Sequence, residues 1–189
     1  MTRSTKRRSR TGSPRVGILM GSDSDLAVMG EAARVLEEFG IPCELTVASA
    51  HRSPALVARY ASTVDRRGIQ VLIAGAGGAA HLAGVLASLT TVPVIAVPLA
   101  SSPLAGFDAL LASVQMPPGV PVAVTSVGAW GARNAAILAV QILATGDAGL
   151  RVKLAEHKRR MAADVGKKAR HIAESLATPS ASTPPSRRR

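Results

Sequence analysis

RVGILMGSDSDLAVMGEAARVLEEFG, residues 15–40, decides the fold. Residues 15–20 form a short, near-continuous apolar run, the pattern of a strand buried on both faces. Gly21-Ser22-Asp23-Ser24-Asp25 follows, and residues 24–39 carry apolar side chains at helical spacing up to Gly40. A strand buried on both faces needs helices above and below it, so this unit points to a parallel sheet inside an α/β protein.

The same unit recurs along the chain. CELTVAS (43–49) reads as a second strand, followed by a helix over 54–67 with Pro54 near its start and Gly68 at its end. QVLIAG (70–75) is a third strand with an Ala-rich helix over about 79–89. VPVIAVP (92–98) and PVAVTSV (121–127) are the fourth and fifth, with helices over about 104–115 and 131–145. Together they predict a three-layer αβα sandwich with five parallel strands and right-handed crossovers. A flavodoxin-like strand order is the expectation. Ligands then bind beyond the carboxyl ends of the strands, so the loops there are where chemistry is sought.

The expected organisation is a basic arm over 1–14, an α/β domain over 15–147, an extra C-terminal helix over 148–176 and a Pro/Ser/Arg tail over 177–189. On the extra helix Leu150, Leu154, Met161, Val165, Ile172 and Leu176 recur at spacings of four and seven. That is one narrow apolar seam on a charged helix, suited to the parent domain or to a neighbouring subunit. Compositionally the arms resemble solvated, disordered segments.

The charge distribution excludes one class. The 189 residues carry a net charge of +11, yet residues 1–15 hold six Lys/Arg without an acid and 151–189 hold eleven against three acids. Residues 16–150 are left with six basic and nine acidic side chains, which makes the body slightly acidic and no platform for nucleic acid. No apolar run reaches the roughly 18–20 residues of a membrane span. A lone Cys43 excludes a disulfide framework and fits a reducing compartment, so a cytoplasmic protein is expected.

Three loops carry candidate chemistry. In 21–25, Ser22, Ser24 and Asp25 pair hydroxyls and a carboxylate with a helix start, which suits a phosphate or ribose; simple capping explains one or two of them but not all. In SAHRSP (49–54), Ser49 precedes His51 and Arg52. The guanidinium suits a phosphate, and the imidazole accepts and donates a proton near neutrality. In Gly75-Ala76-Gly77-Gly78-Ala79-Ala80-His81, small residues make a tight wall against a small ligand, and His81 either contacts that ligand or caps the helix. The loop matches a loose dinucleotide pattern, but no acid follows before Asp108. Loops 98–103 and 128–131 contain small residues, and the 114–117 turn is expected to add a lip. No Walker loop and no set of metal-ligand spacing occurs in the body.

Taken together, GSDSD (21–25), SAHRSP (49–54), AGAGGAAHL (74–82) and VQMPPGVPV (114–122) resemble the PurE family, and its class I mutases in particular. The resemblance spans about residues 15–165. It implies a mutase of purine biosynthesis that converts N5-carboxyaminoimidazole ribonucleotide to 4-carboxy-5-aminoimidazole ribonucleotide without ATP, metal or other cofactor. It also implies an octamer in which the C-terminal helix crosses between subunits. Carried over by position, His51 is the general acid/base, and Ser22, Asp25 and Arg52 hold the ribose phosphate. Ser24 lies among these substrate contacts, while Ser49, Ala76, Gly77, Gly78 and His81 line the base and carboxyl region. Residues 99–104 (LASSPL) and 128–133 (GAWGAR) depart from the family pattern. The class II relative, a carboxylase using free carbon dioxide, is the nearest alternative; a noncatalytic nucleotide-phosphate binder is the alternative of another kind.

Overall fold

The computed structural model describes residues 12–177. Its strands are β1 (Val16–Met20), β2 (Cys43–Val47), β3 (Val71–Gly77), β4 (Val94–Leu99) and β5 (Ala123–Val124). The helices are α1 (Leu26–Glu38), α2 (Pro54–Ala61), α3 (Leu82–Leu89), α4 (Phe107–Val114), α5 (Ala129–Ala144) and α6 (Ala148–Ala177). All strand pairs are parallel, in the order β2-β1-β3-β4-β5. That is the flavodoxin-like order expected from the sequence. The expected terminal arms fall largely on residues 1–11 and 178–189, outside the described residues.

Burial explains the apolar runs. Every residue of β1 and of β4 is buried, as are the first five of β3. Helices α1 and α5 pack together, and α2 packs with α3. Met29, Ala32 and Leu36 of α1 are buried, as are Ala132, Ala135, Ala136 and Ala139 of α5. Alanines let these helices approach closely, which is how a chain with 2% aromatic residues closes its core.

Several elements are shorter than expected, two of them by five residues or more. The helix predicted over 54–67 ends at Ala61, and a 3-10 turn at Asp65–Arg67 completes the connection. Ser62 and Thr63 turn their hydroxyls back onto the Arg59 and Tyr60 carbonyls at 3.1 and 2.9 Å, local bonds that compete with helix continuation. The strand predicted over 121–127 pairs only at Ala123 and Val124. It is an edge strand, and Pro121 has no N–H to give a ladder.

Contacts divide the chain after Arg151, so the first turn of α6 groups with the body and the rest forms a second unit. Among the described residues, no helix is long and apolar enough to cross a membrane.

Register places the loops. Met20 is level with Val47 of β2 and with Gly75 of β3, and Gly77 is level with Leu99 of β4. The Gly21 amide donates to the Gly75 carbonyl and the Ala48 amide to the Met20 carbonyl, extending the ladder just past the strand ends. The loops after β1, β2, β3 and β4 therefore open along one rim.

Candidate active site

A cleft of about 280 Å³ lies on that rim. It receives Gly21, Ser22, Ser24 and Asp25 from the loop after β1, and Ser49, Ala50, His51 and Arg52 from the loop after β2. Ala76, Gly77, Ala79, His81 and Leu82 come from the end of β3 and the start of α3, and Ser101 from the loop after β4. All the residues expected at the site line it except Gly78.

Each wall has a local cause. Ser22 caps the 3-10 turn at Asp23–Asp25: its Oγ accepts from the Ser24 amide at 3.4 Å and lies 2.9 Å from the Ser24 hydroxyl. Capping thus accounts for Ser22 and Ser24 in part. Asp25 precedes α1 without making a side-chain cap and is only partly exposed. Burial raises its carboxyl above the ordinary range, against the opposing effects of hydrogen bonds from Ser22 and Ser24 and of the Arg52 charge.

The 49–53 loop is locked by its own serines. The Ser53 amide and hydroxyl both donate to the Ser49 carbonyl, at 2.9 and 3.1 Å. The Ser49 amide donates to Ser53 Oγ at 3.0 Å, and the Arg52 amide donates to Ser49 Oγ at 3.2 Å. This closed turn holds His51 and Arg52 facing the rim. The Arg52 guanidinium lies across the loop after β1, donating to the Gly21 carbonyl at 2.8 Å. Its Nε donates to Ser49 Oγ at 3.5 Å, and the N–H groups left over are available to an anion.

His81 occupies the cap position of α3 but makes no side-chain cap bond. Its Nδ1 lies 2.8 Å from His51 Nε2, with the rings edge-on at 77°. Of the two expectations for His81, helix capping is therefore excluded. One ring donates and the other accepts, so the axis accommodates one proton.

Gly77 permits close contact between β3 and the loop after β4. A methyl group there would overlap the Ser101 hydroxyl and come within 3.0 Å of the Leu99 carbonyl. Ser101 was not anticipated, and its signal was positional: a hydroxyl two residues beyond the carboxyl end of a parallel strand. The 114–117 turn does not line the cleft of its own chain. It leads from α4 to β5 at the amino edge of the sheet, where Gly119 and Pro121 neighbour Thr90–Val94, and Met116 packs on Gly84 of α3. In a parallel sheet, helix-to-strand connections emerge at the edge opposite the strand-to-helix loops, which places this turn away from the cleft of its own chain.

The site brings a guanidinium, a partly buried carboxylate, hydroxyls and an imidazole pair together along four adjacent strand ends, groups whose chemistry suits an anionic ligand and proton transfer. Among the described residues no group of three His, Cys, Asp or Glu side chains is placed to hold a metal.

The AIR carboxylase family model matches residues 15–164. A Pyrococcus abyssi protein named N5-carboxyaminoimidazole ribonucleotide mutase is 56% identical over 152 residues, covering 80% of this chain and 86% of its own. Thermotoga maritima has a protein of the same name, 53% identical over 84% of this chain and 92% of its own. Among solved structures, Treponema denticola PurE superposes with a TM-score of 0.73 at 29% identity, over 82% of this chain and 95% of that one.

Proposed function

The chain belongs to the AIR carboxylase family, the PurE proteins, and from that premise we propose that it is an isomerase of purine biosynthesis. It converts N5-carboxyaminoimidazole ribonucleotide to 4-carboxy-5-aminoimidazole ribonucleotide. The observation that carries the reading is the His51–His81 pair, 2.8 Å apart in the same cleft as the Arg52 guanidinium. The reaction needs a proton delivered and a proton removed within one phosphate-anchored ligand.

In this reading Arg52 binds the phosphate through charge-assisted hydrogen bonds, with Ser22 and Ser24 beside it. Asp25 accepts from the ribose hydroxyls. His51, protonated, gives its proton to the exocyclic nitrogen as the N–C bond of the carbamate breaks, releasing carbon dioxide within the cleft. The electron-rich ring carbon attacks that molecule and forms the new C–C bond. Neutral His51 then takes the proton from the same carbon, which restores its starting state. His81 fixes the His51 ring and shares the proton on their common axis. Ser49, Ala76 and Gly77 border the base and carboxyl region, where small residues leave room for the migrating group. Neither step leaves a net proton to be supplied by another reagent.

The working form is a homo-oligomer, an octamer as the family resemblance implies, acting in the cytoplasm. Supporting association, Phe107, Leu111 and Val114 stand exposed on α4, Trp130 is 79% exposed, and Met161, Val165, Ile172 and Leu176 are exposed along α6. The 15–147 body carries the chemistry, and the 148–176 helix packs between subunits.

Turnover of N5-carboxyaminoimidazole ribonucleotide in labelled bicarbonate tests the reading. Product without buffer label, after correction for spontaneous decarboxylation, supports the mutase. Product carrying the label points to a carboxylase using free carbon dioxide. No product above the uncatalysed background leaves a noncatalytic phosphate binder.

A further inference from the structure

Ser101 stands apart from the other hydroxyls of the cleft. The Ser22 and Ser24 hydroxyls engage each other, and the Ser49 hydroxyl accepts from the Arg52 amide. The Ser101 hydroxyl lines the cleft and makes no hydrogen bond within the described residues. Its position is nevertheless constrained. Leu99 closes β4 opposite Gly77, and the Ser101 side chain lies over the Gly77 α-carbon in the space that any larger residue there would fill.

The order of the strands gives this hydroxyl a direction along the ligand. From one edge inward the rim presents Arg52 after β2, Ser22 and Asp25 after β1, Gly77 and His81 after β3, then Ser101 after β4. Neighbouring strands are about 4.8 Å apart, so β2 and β4 stand about 14 Å apart, comparable with an extended ribonucleotide from phosphate to base substituent. With the phosphate at Arg52 and the ribose at Asp25, the ring lies at the His51–His81 pair. The substituent that changes place then points toward Ser101.

We propose that the Ser101 hydroxyl, set against Gly77 at the β4 end of the cleft, donates a hydrogen bond to the migrating carboxyl group and retains it between nitrogen and carbon. This rests on the mutase reading above. During the reaction the group changes from a carbamate to neutral carbon dioxide to a carboxylate, and at the middle stage no covalent bond and little charge holds it. A donor at a fixed position keeps that molecule beside the ring carbon, and the neighbouring Gly and Ala residues bring no polar side chain to compete with it. A hydroxyl serves here better than a cation, because a cation would hold the carbamate in its starting state more strongly than the neutral intermediate.

The test compares the wild-type chain with Ser101→Ala and Ser101→Thr, each given N5-carboxyaminoimidazole ribonucleotide in labelled bicarbonate. Three quantities are followed: product, released aminoimidazole ribonucleotide and label in the product. For Ser101→Ala the ratio of released aminoimidazole ribonucleotide to product should rise about 10-fold, with KM changed less than about 3-fold and an unchanged melting temperature. Ser101→Thr, which keeps the hydroxyl, should restore most of the coupling. A Ser101→Ala enzyme as tightly coupled as wild type would overturn the assignment, as would a fall in kcat with the ratio unchanged. Absence of mutase turnover in the wild-type chain would instead remove the reading beneath it.

Discussion

Nε2 of His51 lies 2.8 Å from Nδ1 of His81, although the two residues are thirty positions apart and belong to loops after different strands. The serine-locked 49–53 turn sets one ring and the start of α3 sets the other. Both rings are exposed to the cleft, so a ligand there meets an imidazole whose orientation is already defined. His51→Asn should lower kcat by about 10²- to 10⁴-fold, the usual contribution of a general acid/base. Affinity for the product ribonucleotide should change by only a few-fold, measured by calorimetry. Near-normal turnover would remove His51 from the mechanism. His81→Asn should be the milder change, with its main effect on the pH profile of kcat.

Arg52→Met should act on binding rather than on chemistry. Loss of charge-assisted hydrogen bonds to a phosphate costs about 1.5–3 kcal/mol, so KM should rise about 10- to 100-fold. Substrate and the dephosphorylated nucleoside should become similar in KM. If the variant still discriminates between them as wild type does, the phosphate sits elsewhere.

Asp25 makes opposite predictions for stability and binding. Its carboxyl is raised, with burial the largest cause. A raised folded value means that the favourable contribution is fully present below the unfolded value, about 3.9, and is lost as pH rises through the folded one. At pH 7 the carboxylate therefore opposes folding. Asp25→Asn should melt higher than wild type at pH 7, with the gap closing toward pH 3–4, and should bind the ribonucleotide more weakly. Thermal melts across that pH range, paired with binding isotherms, check both halves.

Tyr60 is the chain's sole tyrosine, and its phenol donates to Glu44 at 2.6 Å, with the Arg67 guanidinium over its ring at 4.5 Å. The phenol lies over Gly17 of β1, where a methyl group would overlap it. Burial, then the Glu44 hydrogen bond and charge, push its ionisation far above the ordinary phenol range. A phenol near 10 when unfolded and higher when folded supplies stability that is complete below pH 10 and is lost as pH rises toward the folded value. Absorbance at 295 nm should show no phenolate in the folded chain at pH 10.5, and the rise at higher pH should coincide with unfolding. Tyr60→Phe should cost about 1 kcal/mol at neutral pH and remove this alkaline dependence. Ordinary titration near pH 10 in a folded chain would contradict the buried geometry.

Apolar runs such as 15–20 and 92–98 determined the parallel sheet, because a strand flanked by two helical layers cannot tolerate polar residues on either face. The Gly/Ser and His-Arg loops identified the rim, since strand-to-helix turns in such a sheet all open on one side. Helix and strand ends were less legible. The stop at Ala61 depends on hydroxyls bonding back to carbonyls, and the short pairing of β5 depends on its place at the sheet edge.

By itself the sequence determined which residue types stand at each strand end, because alternation, glycine and capping chemistry are local. Only the tertiary structure decided which of them meet. Whether His81 capped α3 or faced His51 turned on the angle at which two separate loops leave neighbouring strands. Ser101 entered the cleft because β4 lies beside β3 and Gly77 lets their connecting loops touch. The 114–117 turn stayed out of the lining of its own chain's cleft, with Met116 set against Gly84 of α3 instead. Such contacts depend on strand order and register, which are set by packing of the whole sheet rather than by any one segment.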